Sequence, residues 1–135
     1  MINKNDIKEF FPYPNIYLKE WGYEYWIENN DKYCMKLLHC EDGIWSSGGK
    51  FHYHKIKDET FFIVRGELRM DVEIDNTIRR ITLTEGDTFR VKPNVKHRFC
   101  SVGVSCDFIE ASTKHLDEDS YKCYWDFERR CWVDV

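Results

Sequence analysis

His52, Tyr53 and His54 place two imidazoles two residues apart, and Glu59 follows five residues after the second. On an extended strand, residues two apart face the same side, so both imidazoles can grip one ion. A Glu beyond a short turn can then close on that ion from the neighbouring strand. The candidate fourth ligand is His97, which follows a segment built on Gly86-Asp87 and Lys92-Pro93-Asn94. Three imidazoles and a carboxylate suit a divalent transition metal; Mn2+ and Fe2+ are the leading expectations, with Zn2+, Co2+ and Ni2+ also compatible.

Such a set needs short strands to hold it. β-rich or alternating runs occur at Tyr23–Ile27, Tyr33–Leu38, Gly49–His54, Thr60–Val64, Glu67–Ile74, Ile78–Leu83, Thr88–Val91, His97–Ser101 and Ser105–Ala111. They are separated by turn signals such as Glu41-Asp42-Gly43, Arg65-Gly66, Asp75-Asn76 and Glu85-Gly86-Asp87. This spacing, with no βαβ rhythm, predicts an all-β fold, a small antiparallel β-barrel or sandwich. The 135 residues fit one domain with its core at about 30–112 and short N- and C-terminal extensions. The N-terminal part has room for a short helix around Asp6–Phe10, stopped by Pro12 and Pro14. In the last segment, His115–Val135, two Trp, two Tyr and a Phe point to packing on the barrel or on a second subunit.

Composition narrows the function classes. The chain is 42% hydrophobic, 16% aromatic and 33% charged, a globular profile, and its net charge of -4 offers no basic footprint. Neither nucleic acid nor a membrane surface is expected as a partner. The start, MINKNDIKEFF, has no apolar signal core, so the expectation is a cytoplasmic protein with six reduced, mostly packed cysteines.

In its motifs the sequence resembles the cupin superfamily. The first motif of that family, His-x-His, three or four residues, Glu, six residues, Gly, is matched by His52, His54, Glu59 and Gly66. The second, Gly, five residues, Pro, one residue, Gly, two residues, His, falls on Gly86, Lys92, Asn94 and His97, two of which are substitutions. Asn is the residue most able to replace Gly at positive φ, and Pro93 adjoins the expected Pro. The Gly usual six residues before the first His is Ser46. The resemblance covers about residues 30–112 and implies a double-stranded β-helix, or jelly roll, with one metal on His52, His54, Glu59 and His97.

A finer resemblance, His52-x-His54-x-x-Lys57-x-Glu59, is to the D-lyxose isomerase group of cupin sugar isomerases, in which that Lys is thought to serve the reaction. The run Glu110-Ala-Ser-Thr-x-His followed by Asp119 resembles the post-barrel segment of mannose-6-phosphate isomerase-type cupins. Together they imply a metal-dependent sugar or sugar-phosphate isomerase with a small-molecule substrate. The residues themselves leave alternatives open. Lys57 reads equally as a solvated turn residue. Glu110, after Phe108-Ile109, is a partly desolvated base if it faces inward and one more solvated charge if it faces outward. Phe61, Phe89 and Phe99 should fill the barrel near the metal, with Tyr53 turned outward; Trp21, Tyr23 and Tyr25 could line a mouth or a dimer seam; Arg90 and Arg98 could bind an anion if inward. The same ligands also bind Fe(II) in cupin dioxygenases, and a non-catalytic metal- or sugar-binding module is the third reading. A homodimer is the default expectation for a barrel with apolar edges.

Overall fold

A computed structural model of the protein describes Asn3, Asp6 and residues 15–135. The short helix expected around Asp6–Phe10 lies outside the described residues apart from Asp6.

Twelve strands run along the described chain: β1 Asn15–Lys19, β2 Gly22–Asn29, β3 Cys34–Cys40, β4 Phe51–Tyr53, β5 Glu59–Arg65, β6 Leu68–Ile74, β7 Thr77–Leu83, β8 Thr88–Val91, β9 His97–Ser101, β10 Cys106–Ser112, β11 Tyr121–Asp126 and β12 Cys131–Asp134. They form two six-stranded antiparallel sheets, ordered β1-β2-β3-β10-β5-β8 and β12-β11-β4-β9-β6-β7. The all-β expectation therefore holds, and the layout is that of a jelly roll. The nine runs read from the sequence all appear. Tyr23–Ile27 and Tyr33–Leu38 extend into β2 and β3, whereas Gly49–His54 shortens to Phe51–Tyr53 behind a 3-10 turn at Ser46–Gly49.

Alternation makes the core. In β3 the residues Cys34, Lys36, Leu38 and Cys40 are buried while Met35, Leu37 and His39 between them are half-exposed, the period-two pattern of a strand with one inward face. Trp21, Leu38, Phe61, Ile63, Leu68, Met70, Phe99 and Phe108 come together as the main apolar core. Phe61 and Phe99 are buried within it and Phe89 packs against it, as expected. Two turns show why their residues are there. Gly66 sits at φ 84 with Ser105 O only 2.5 Å from where a Cβ would stand, so a side chain would collide with backbone. Asn94 takes φ 69, the left-handed conformation in which Asn best replaces Gly, and its N–H donates to His54 O at 2.6 Å.

The C-terminal segment is a part of the barrel more than an appendage. β11 pairs with β4 and β12 with β11, extending the second sheet; Phe51, Tyr53 and Cys123 form a small separate core packed by Ile78, Tyr121 and Trp132. The outermost strand of the first sheet, β1, was also not read as a strand from the sequence. All six cysteines are free thiols, five of them buried and Cys131 exposed. Among the described residues no helix is long and apolar enough to cross a membrane.

Candidate metal centre and its cavity

Three strands and one turn deliver the histidine and glutamate side chains to one place. His52 on β4 and His97 on β9 are register partners, and their rings lie 4.1 Å apart between centroids. His54 ends the β4 run. Nitrogens of His52, His54 and His97 all lie within 4.8 Å of one another. Glu59, the first residue of β5, brings Oε1 to 3.1 Å from His97 Nε2 and 3.9 Å from His54 Nε2.

Hydrogen bonds outside the cluster aim two of the rings. His54 Nδ1 is 2.6 Å from Asp119 O and His97 Nδ1 is 2.9 Å from Val95 O, so each Nδ1 carries the proton and donates it to a carbonyl. Each Nε2 then turns a lone pair on the cluster, the arrangement in which a second shell orients metal ligands. Burial drives the His52 pKa well below its ordinary value, with His97 and His54 adding to the effect, and burial likewise lowers His54. Burial works to raise Glu59, but the Lys57 ammonium beside it acts the other way, and the carboxyl is held well below the usual range. Neutral imidazoles and an ionised carboxylate are the forms that bind metals.

The cluster also has polar atoms that the protein leaves without hydrogen-bond partners: His52 Nδ1, His97 Nε2 and both carboxylate oxygens of Glu59 are buried. Each such orphan costs about 1–3 kcal/mol. Several donor atoms converging on one point fit a cation that would satisfy them together. The His52–His54–His97 cluster on this fold suggests a divalent metal.

Beside the cluster opens a cavity of about 610 Å³, within the range of small-molecule sites. Its wall includes His52, His54, Trp21, Lys36, Lys57 and Glu110. Glu110 faces inward and is 5% exposed; burial raises its pKa against the opposing pull of Lys57. Lys57, 3% exposed, is no solvated turn residue: Nζ lies 3.0 Å from Glu110 Oε2 and 3.4 Å from Glu59 Oε2. Burial works to lower its pKa, but Glu110 and Glu59 prevail and hold the ammonium charged. The turn carrying Lys57 is pinned by Asp119, whose carboxylate accepts the backbone N–H groups of Lys55, Ile56 and Lys57 at 2.8–3.2 Å.

Lys36 and His115 complete this wall. Lys36, 2% exposed, is the cross-strand partner of Glu110 and stands 3.8 Å from Glu110 Oε2, 3.5 Å from Glu24 Oε1 and 4.1 Å above the Trp26 ring. His115 Nδ1 lies 3.1 Å from Lys36 Nζ and 3.3 Å from Lys57 Nζ, while its Nε2 is 3.0 Å from Asp117 Oδ1. Two ammonium donors on Nδ1 fix the tautomer: Nδ1 accepts and Nε2–H donates. Burial, with Lys36 and Lys57, lowers the His115 pKa to about 4, so the ring is neutral near pH 7.

Sequence reasoning singled out His52, His54, Lys57, Glu59, His97 and Glu110, and the structure brings all six together. It missed Lys36 and Glu24. The signal for Lys36 was available in β3, where a charged residue shares the inward phase with Cys34, Leu38 and Cys40. Arg90 and Arg98 do not face the cavity: Arg90 forms a two-bond pair with Asp58, and Arg98 binds Asp71 and Gly49 O, because both occupy outward phases of their strands. Of Trp21, Tyr23 and Tyr25, only Trp21 lines the cavity. Tyr53 is turned outward as expected and donates to Asp134 at 2.9 Å.

Residues 46–109 match the cupin domain family. No curated protein matches the chain by sequence. Among solved structures, oxalate decarboxylase from Bacillus subtilis is similar at a TM-score of 0.71 and 13% identity, over 81% of this chain and 30% of that one. The capsular polysaccharide assembling protein CapF from Staphylococcus aureus gives 0.69 and 16%, over 80% and 33%. KdgF from Halomonas sp. gives 0.63 and 18%, over 77% and 89%. The chain thus spans about a third of the first two and most of the third. The fold of this protein is the cupin jelly roll, with a histidine cluster and a charged cavity at one end.

Proposed function

We propose that the protein is a metal-dependent isomerase of a sugar or sugar phosphate, with His52, His54, Glu59 and His97 holding the ion and Glu110 and Lys57 moving the proton. The observation that carries this reading is the Glu110–Lys57 pair: a buried carboxylate with a raised pKa, on the cavity wall, one ammonium away from Glu59. When bound, a divalent ion in an open three-His, one-carboxylate site acts as a Lewis acid toward adjacent carbonyl and hydroxyl oxygens.

The protein's own groups supply the rest. Interconverting an aldose and a ketose moves one proton between neighbouring carbons, and a carboxylate whose pKa is lifted toward neutrality is suited to take it and return it. The Lys57 ammonium, held charged by Glu110 and Glu59, stabilises negative charge that develops on substrate oxygens during the transfer, with Lys36 beside it on the same wall. His115 keeps both lysines aimed at the cavity. The likeness to CapF, a capsular polysaccharide assembling protein, is consistent with a sugar ligand on this fold.

The test is exchange of the C2 proton of aldoses and aldose phosphates in deuterated water, with the metal-loaded protein and a Glu110→Gln control. Exchange that disappears in Glu110→Gln while metal content stays constant is the expected result. No exchange across the panel removes the isomerase reading, and oxygen uptake that tracks iron content replaces it with a dioxygenase. Elemental analysis tests the ligands separately: His97→Ala should lose most of the metal that the unaltered protein retains.

A further inference from the structure

The second sheet brings two cations to the cavity that neither the histidine cluster nor the Glu110–Lys57 pair uses. Lys122 on β11 is the register partner of His52 on β4, so its side chain stands on the same face of the sheet. Their neighbours Phe51, Tyr53 and Cys123 occupy the opposite face, packed in the small separate core. Lys50 lies two residues before His52 in extended backbone, at φ -76 and ψ 153, and falls in the same phase. Both lysines line the cavity and are exposed at its rim. His52 is thus flanked by one ammonium group along its own chain and by another across the ladder.

Lack of a partner separates these two from the other lysines of the cavity. Lys19, Lys36 and Lys57 share the carboxylates of Glu24, Glu59 and Glu110 at 3.0–3.8 Å. Among the described residues the ammonium groups of Lys50 and Lys122 have no ion-pair, hydrogen-bond or ring partner. The remaining acids of the lining do not answer them: Asp117 is engaged by His115 at 3.0 Å, and Glu20, on the turn from β1 to β2, forms an ion pair with neither. Ser47 adds a hydroxyl to the same rim from a left-handed backbone at φ 53. Two unneutralised point charges beside a hydroxyl suit a phosphate, whose oxygens accept charge-assisted hydrogen bonds from several donors at once.

We infer that the substrate is a sugar phosphate, its phosphate seated on Lys50 and Lys122 at the rim and its reacting carbons deeper, between the histidine cluster and Glu110. The sugar in this inference rests on the isomerase reading above; the phosphate rests on the two lysines. The spacing suits an elongated ligand. Positions two apart on an extended chain are separated by about 7 Å, so a sugar with one end at His52 brings its far end within reach of both flexible side chains. Lys36 and Lys57, neutralised by buried carboxylates, serve the reacting end, and the two free cations serve the other.

Equilibrium dialysis of the full chain against radiolabelled inorganic phosphate at low ionic strength tests the seat without any turnover. Binding should saturate, and Lys50→Gln and Lys122→Gln should each weaken it by roughly 10-fold and together by roughly 100-fold. Lys19→Gln, which removes an ammonium already tied to Glu24, should weaken it by less than about 2-fold. All three positions are exposed, so the variants keep the fold. Absence of saturable binding at millimolar phosphate overturns the inference. So does binding that the double variant retains, since the anion then sits on the histidine cluster or elsewhere, and so does tighter binding of acetate, which makes the group a carboxylate. In the C2 exchange assay an aldose phosphate should show a lower KM than the same aldose, and the double variant should erase that difference. Failure of every sugar to exchange removes the isomerase reading alone; the phosphate seat stands or falls by the dialysis.

Discussion

Positions 36 and 110 face each other across β3 and β10 on the inside of the first sheet, and positions 37 and 109 face each other on its outside. The inside pair is Lys36 and Glu110, charged and buried; the outside pair is Leu37 and Ile109, apolar and half-exposed. One residue of phase separates them, and each pair occupies the environment usual for the other. An ordinary half-buried strand places apolar residues inward and polar ones out. Where the pattern inverts inside, each charge has been given partners: Lys36 and Lys57 between them touch Glu24, Glu59, Glu110 and His115. Where it inverts outside, Leu37 and Ile109 stay half-exposed on the outer face of the sheet. Burial alone therefore distinguishes neither face; what does is whether each group's partners lie within the chain.

The strongest way to break the inner half of this contrast is Lys57→Met, which removes the nearest cation from a buried Glu110. It should destabilise the fold by about 3–5 kcal/mol in urea denaturation, and the double variant Lys57→Met with Glu110→Gln should recover much of the loss. A double variant as unstable as the single one would mean that the two groups are not coupled. Next in size, Asp119→Ala strips the acceptor from three backbone N–H groups and should lower stability by about 1–3 kcal/mol.

A smaller effect reads the neutral His115. Its ordinary pKa of 6.5 drops to about 4 in the folded protein, so between those values the unfolded chain binds a proton that the folded one refuses. The stability from this source is complete above pH 6.5 and is lost as the pH falls toward 4. The advantage of the unaltered protein over His115→Asn in urea midpoint should accordingly shrink between about pH 7.5 and pH 5. The outer face should respond least: Leu18→Ser should change stability in urea denaturation by no more than about 0.5 kcal/mol.

Period-two patterning made most of the strands legible, because a strand with one buried face writes its burial into the sequence. β1 was missed because all five of its residues are exposed, leaving no alternation to read. β11 and β12 were seen as aromatic-rich but not as strands; the strand on which β11 pairs, β4, lies some 70 positions away in sequence, and nothing local names it. His52, His54 and Glu59 were legible from local spacing, and His97 from the second motif, in which Lys92 and Asn94 are substitutions. Lys57 was ambiguous for a physical reason: Lys-Ile-Lys-Asp reads as a wet turn until Asp119, brought in from beyond the barrel, ties it down. Glu110 needed only the choice of phase, and the register of β10 against β3 and β5 makes it.

Asp119 has one more consequence. It holds His54 through its carbonyl and residues 55–57 through its carboxylate, across 62–65 positions of chain. A chain emerging from the ribosome can pair β3 with β2 early, but it cannot fix the His54 ring or seat Lys57 until residue 119 has been made. Closing so long a loop comes late and costs entropy. The candidate metal centre is therefore completed only when Asp119 and the β11 strand just beyond it are in place, and its acquisition of metal should lag behind the pairing of β2 with β3.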